Sequence, residues 1–145
     1  MIAPHPFGYD ITPAVLISTF RVATCWEERY RKLIQLAREL PALPDALKQQ
    51  ELELTGCEAR IWLGHQQLES GCLHFYADGE GRIIRGLLAV LLTGIEGKTP
   101  PQLLGSDPLM LFAQSGLHHQ LSTSRTMVLQ RLARTVVAIA TRYQT

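Results

Sequence analysis

Residues 83–95 carry a single charge, Arg85, while Ile84, Leu87, Leu88, Leu91 and Ile95 recur at spacings of three and four. That period belongs to a helix. Ile83, Val90 and Leu92 add apolar groups on the remaining faces, so the helix is apolar nearly all round and has to lie at the centre of the fold. The run is interrupted by Gly86, Thr93 and Gly94 and falls short of the roughly 18–20 residues of a membrane span. A chain of 145 residues is expected to form one domain, here residues 1–145. Such a chain buries roughly 68–70% of its unfolded surface, enough for a core without disulfide or metal staples.

The segments around this helix follow from local signals. Residues 1–9, with Pro4, Pro6 and Gly8, read as a loose arm. Thr12-Pro13 starts a short helix to about Phe20. Thr24-Cys25-Trp26-Glu27 reads as a capping box for a second helix, with Trp26, Tyr30, Leu33, Ile34, Ala37 and Leu40 at helical spacing until Pro41 stops it. From Leu52 the period changes to two, predicting a short strand that ends at Thr55-Gly56-Cys57 and two further strands over 59–68 and 72–77. A two-residue turn at Ser70-Gly71 would set Gln67 opposite His74 and place Trp62, Leu68, Leu73 and Phe75 on the core face. Thr99-Pro100 and Asp107-Pro108 open short helices, and a last helix runs over 123–143 with Leu132, Val136 and Ile139 inside and Arg131, Arg134 and Arg142 outside. The expected class is α+β: a small antiparallel three-stranded sheet with helices packed on one face.

The cysteines, Cys25, Cys57 and Cys72, are an odd set, and no signal peptide is visible. Free thiols in a reducing cytoplasm are expected. The formal net charge of +1 hides a segregation, because every carboxylate lies at or before Asp107 and the last 38 residues carry Arg125, Arg131, Arg134 and Arg142. That slope favours an acidic contact surface or an anionic ligand near the end of the chain and is too weak to imply nucleic acid. No GxGxxG, Walker-type loop, GxSxG elbow or HExxH is present.

Among the thiols, Cys57 has the most suggestive setting. It follows Gly56 at the exit of a strand-like segment, on a turn near the surface, where Arg60 would favour the reactive thiolate and Glu58 would oppose it. The plain alternative is a small residue filling a tight turn beside glycine. Cys25, in the first turn of a helix beside Trp26, most simply packs there. A second possibility is a zinc or iron–sulfur site built from Cys57, His65, Cys72 and His74, whose thiolates and imidazoles are the appropriate ligands. No CxxC or HxxxH spacing supports it, and a polar solvated sheet face accounts for the same histidines.

Three stretches go further: Leu54-Thr55-Gly56-Cys57-Glu58-Ala59-Arg60-Ile61-Trp62, then Asp78-Gly79-Glu80-Gly81-Arg82 with the apolar run behind it, and Leu121-Ser122-Thr123-Ser124-Arg125. In this order, from about Trp26 to the last helix, the chain resembles the SufE/CsdE family of cysteine-desulfurase sulfur acceptors, and residues 40–45 and 80–99 look more like its CsdE branch. The resemblance implies an α+β fold shared with the iron–sulfur scaffold proteins but without their metal ligands. It also implies that Cys57 accepts sulfur as a persulfide from a partner desulfurase, with Gly56 as a hinge. Arg125 would stabilise the thiolate or persulfide, and Arg60 has a less fixed supporting place. It implies no cofactor in this chain, the pyridoxal phosphate belonging to the desulfurase. The expected partners are that enzyme and a downstream sulfur acceptor serving iron–sulfur assembly or tRNA modification, with neither direct nucleic-acid contact nor membrane. The chain would then be a sulfur-transfer partner rather than an enzyme in its own right. Its alternatives are the metal scaffold and a non-catalytic module whose basic last helix docks an acidic protein.

Overall fold

The computed structural model describes residues 1–54 and 59–144. In chain order the regular elements are α1 (Pro13–Val22), α2 (Trp26–Glu39), β1 (Ile61–Gln67), β2 (Leu73–Gly79), α3 (Arg82–Ile95), α4 (Pro100–Leu104), α5 (Met110–Gln114) and α6 (Thr123–Arg142), with single 3-10 turns at Asp45–Leu47, Gln50–Leu52 and Leu117–Gln120. The apolar run forms α3, which is covered on every side: residues 86–93 are all buried. Helix α2 crosses it at Gly86, where a Cβ would stand 2.4 Å from the Leu33 carbonyl oxygen, so only a residue without a side chain allows the two backbones this close. The core is formed where α1, α3, α5 and α6 meet the hairpin, around Phe20, Phe75, Leu87, Leu91, Phe112 and Val136.

Local chemistry explains several boundaries. Thr12 caps α1 by accepting from Val15 N–H, and Thr99 with Gln102 forms a reciprocal capping box on α4. The capping box expected at Thr24 is displaced by one residue. Cys25 occupies the N-cap without a side-chain bond, and Glu28 Oε2 instead accepts from Thr24 N–H at 3.0 Å.

The sheet differs from expectation in two ways. Among the described residues it has two strands, not three: Gln50–Leu52 form a 3-10 turn and Glu53 then makes one antiparallel bridge to Trp62, while the expected end of the first strand at Thr55-Gly56-Cys57 lies outside the described residues. Leu52 closes the 3-10 turn, so its alternation with Leu54 marks no strand among the described residues. The hairpin register is also shifted by one residue, with Gln67 opposite Leu73 and Gln66 opposite His74. Gly71, at φ +89, takes the left-handed position of a three-residue loop, closed by Gly71 N–H on Leu68 O (2.9 Å) and Leu68 N–H on Cys72 O (2.9 Å). A one-residue slip exchanges faces along a strand. Ile61 and Leu63 therefore join Leu73, Phe75 and Ala77 toward the helices, and Trp62 turns to the opposite face with Tyr76 and Leu43.

That second face is covered rather than solvated. Trp62 and Tyr76 lie under Leu43, Leu47 and Leu52, and Tyr76 passes across Gly64, where a Cβ would meet its ring at 2.3 Å. Asp78, only 2% exposed, gathers this side. It accepts from Leu43 N–H (2.9 Å) and Gly79 N–H (2.8 Å), pairs with Lys48 (3.5 Å) and Arg85, and Arg85 also donates to the Leu40 carbonyl beyond α2. Residues 1–9, expected to be loose, are packed. Phe7 is fully buried in the core, Gly8 (φ +86) turns the chain, and Ile2 and His5 bind the hairpin. The prolines and glycine shape this turn; they do not keep it in solvent. No helix of the described residues is long and apolar enough to cross a membrane.

Candidate functional site

Cys57 and Gly56, with Thr55 and Glu58, lie outside the described residues. The residues on either side are held firmly. Leu54 N–H donates to Ile61 O (2.9 Å), Arg60 N–H donates to Glu80 Oε1 (2.8 Å), and Glu80 N–H returns to Arg60 O (2.9 Å). This ties the chain before and after residues 55–58 to the start of β1 and to the turn that leads into α3. The Arg60 guanidinium pairs with Glu53 at 2.8 Å and lies 4.8 Å over the Trp62 ring, which Lys48 also approaches at 4.9 Å. Hydrogen bonding to Arg60 holds the Glu53 carboxyl below its ordinary range. Arg60 thus stands on the continuation of the Cys57 segment, with its charge directed to Glu53.

Arg125 reaches the same end of the molecule by another route. Helix α6 runs along β1 in the same sense: Thr135 and Leu63 line one cavity, and the Tyr143 hydroxyl meets His65 Nε2 at 2.8 Å. The N-terminus of α6 therefore lies toward the start of β1. Ser122 caps it by accepting from Arg125 N–H, as the serine of a Ser-x-x-Arg start can. The half-buried Arg125 side chain lies 6.0 Å over the Tyr30 ring and lines a cleft of about 590 Å³ with Trp26, Arg29, Leu33 and Ile83. Ile83 opens α3 just after the turn that binds Arg60. The described residues thus bring Arg60, the β2–α3 turn and the Arg125 cleft to the end of the sheet from which residues 55–58 depart.

The described members of the alternative ligand set do not converge. His65 stands on the helix-facing side of the hairpin and His74 on the other. Burial, and then the Arg142 charge, push the His65 imidazole below its usual range. Of the other two cysteines, Cys25 is exposed and Cys72 half-buried.

The sequence reading missed a third feature, a buried polar cluster at the opposite end of β2. His74 Nδ1 meets Glu96 Oε2 at 2.6 Å and its Nε2 meets Ile2 O at 2.6 Å. The Tyr9 hydroxyl donates to Glu96 Oε2 (2.6 Å) and Phe75 N–H to Glu96 Oε1 (2.9 Å). His5 accepts from Phe7 N–H at Nδ1 (3.1 Å), so its Nε2 carries the proton given to Phe75 O (2.7 Å). His5, His74 and Glu96 are near enough to hold a metal, but their bonds assign the protons otherwise. A protonated His5 Nε2 cannot ligate, and both nitrogens of His74 face acceptors, which makes it an imidazolium paired with the Glu96 carboxylate. Burial alone would raise Glu96; the His5 Nε2 at 3.4 Å and hydrogen bonds from His74, Tyr9 and the Phe75 amide outweigh it and hold the carboxyl at about 2. Burial opposes the charge on His74, and Glu96 reverses that and lifts its pKa above the ordinary value. The cluster clamps the N-terminal arm to β2 and to the end of α3. Its one sequence signal was Glu96, a lone carboxylate closing the most apolar helix of the chain.

The model of the SufE family, described as an Fe-S metabolism associated domain, matches residues 14–140. The chain is 52% identical over 136 residues to the Sulfur acceptor protein CsdE of Escherichia coli, covering 94% of this chain and 92% of that protein. It is 31% identical over 124 residues to an uncharacterized SufE-like protein of Rhizobium meliloti, covering 83% and 89%.

Proposed function

Since the chain belongs to the SufE family, which matches it over residues 14–140, we propose that it accepts sulfur from a cysteine desulfurase on Cys57. The observation that carries this reading is its likeness, over 94% of its length, to a protein named as a sulfur acceptor. The partner, a pyridoxal-phosphate enzyme, releases sulfur from cysteine and holds it as a persulfide on its own cysteine. The Cys57 thiolate attacks the terminal sulfur of that persulfide. A new S–S bond forms at Cys57, the S–S bond to the partner's Sγ breaks, and its electron pair leaves with the partner's cysteine as thiolate. The sulfur changes carrier with no net oxidation or reduction.

Arg125, and to a lesser degree Arg60, favours the anionic thiolate and persulfide by charge and hydrogen bonding, and Gly56 lets the cysteine reorient when the partner engages. Cys57 then passes sulfur to a downstream acceptor serving iron–sulfur assembly or tRNA modification. The test is desulfurase turnover of L-cysteine with and without this protein. Wild type raises the turnover and Cys57→Ser does not. Arg125→Ala loses roughly tenfold or more of the effect, the worth of one charge-assisted hydrogen bond, and Arg125→Lys retains part of it. Full stimulation by Cys57→Ser would overturn the mechanism.

A further inference from the structure

Trp26 is 55% exposed at the first residue of α2, although burying an indole is among the larger apolar gains available to a side chain. Its ring stands edge-on to Tyr30, centroids 5.5 Å apart at 89°. Both rings line the 590 Å³ cleft, together with the buried Leu33 and Ile83. Arg29 and Arg125 are its charged side chains, and none of the described residues lining it is acidic. Arg29 is anchored by its Nε on the Phe20 carbonyl (3.1 Å), which fixes the guanidinium beside Gly116. Tryptophan, tyrosine and arginine beside buried apolar side chains are the residues that dominate binding energy at protein interfaces. The segment after Asp107, which supplies the α6 side of the cleft, contains no carboxylate to neutralise these cations.

Resting on the sulfur-acceptor reading, we infer that this cleft receives an acidic segment of the cysteine desulfurase, an apolar side chain of it against Trp26 and Tyr30 and a carboxylate toward Arg29 and Arg125. The cleft opens at the end of the sheet from which the Cys57 segment leaves, so docking here brings the partner's persulfide to the acceptor. Charge complementarity sets the orientation and raises the rate of encounter, and salt screens both.

Trp26 is the position to vary, because it is exposed and lies outside the sulfur chemistry. The protein concentration that half-saturates stimulation of the purified desulfurase with L-cysteine is measured for wild type, Trp26→Ala, Trp26→Glu and Trp26→Lys at low and high salt. For wild type it rises with salt. Trp26→Ala raises it about tenfold or more, as loss of an interface tryptophan does. Trp26→Glu raises it further, and Trp26→Lys less than Trp26→Glu. Stability predicts the reverse charge order, since glutamate suits the first turn of a helix and lysine does not, so the ranking separates docking from folding. Each variant takes sulfur on Cys57 from inorganic polysulfide at the wild-type rate.

Wild-type affinity in all three variants, or a lysine variant weaker than the glutamate one, overturns the inference. So does a change in Cys57 alkylation rate in the free protein, which would make residues 55–58 the occupant, or a concentration-dependent dimer lost in Trp26→Ala, which would make it a second copy. Wild-type protein that fails to stimulate the desulfurase at all defeats the sulfur-acceptor reading first.

Discussion

Replacing Glu96 by glutamine removes one charge from the buried cluster and little volume. The carboxylate receives Tyr9, His74 and the Phe75 amide, with His5 Nε2 at 3.4 Å. A glutamine keeps one acceptor for the Phe75 amide and turns its amino group toward His74, which can then be neutral, accepting at Nδ1 and still donating from Nε2 to Ile2. The ion pair is lost while most hydrogen bonds survive. A carboxyl moved from 4.5 to about 2 on folding contributes about 3 kcal/mol at neutral pH, at 1.36 kcal/mol per pKa unit.

The pH dependence follows from the directions of the two shifts. The Glu96 pKa is depressed, so its contribution is present above 4.5 and is lost as pH falls toward 2. The His74 pKa is raised, so its contribution is present below 6.5 and is lost as pH rises through the folded value. The stability difference between wild type and Glu96→Gln should therefore be widest between those limits and shrink on either side. Urea unfolding followed by tryptophan fluorescence across that range measures it, and amide exchange of residues 2–9 reports whether the arm is released first. A difference under about 1 kcal/mol near the middle of the window, or one that stays constant as pH falls below 4.5, would refute the ion-pair assignment.

Two glycines of α3 should respond in opposite directions. Gly86→Ala drives a Cβ into the Leu33 carbonyl and should cost about 1–3 kcal/mol, while at Gly94 the nearest atom is Leu111 Cβ at an ordinary 3.5 Å, so Gly94→Ala should gain about 0.5–1 kcal/mol of helix propensity. Denaturant midpoints of the pair check both signs. Phe7→Ala should lose about 3–5 kcal/mol and expose the arm to exchange, because Phe7 is fully buried; an arm that only rests on the surface would show neither effect.

The long periodic elements were legible because periodicity is a local signal that packing then uses. The apolar run became α3, and the stripe of Leu132, Val136 and Ile139 became the inner face of α6. Register was less legible, since Ser70-Gly71 suits a two-residue turn and also supplies the left-handed third position of a three-residue one, and the choice moved Trp62 off the core face. The arm was misread for a different reason. Pro4, Pro6 and Gly8 describe how residues 1–9 bend, while Glu96, His74 and the pocket for Phe7, all distant in sequence, decide that they are buried. Cys57 and Arg125 stood out through the motifs around them. The cleft did not, because Trp26, Arg29 and Ile83 come together only when α2 crosses α3.

In the proposed transfer, sulfur moves to one particular thiol. Purified protein is incubated with a cysteine desulfurase and L-cysteine, the thiols are alkylated, and the peptides carrying Cys25, Cys57 and Cys72 are weighed separately. One added sulfur atom is expected on the Cys57 peptide, dependent on both enzyme and L-cysteine, with none on the other two. Sulfur distributed among all three cysteines, or appearing on Cys25 or Cys72 in place of Cys57, would contradict it.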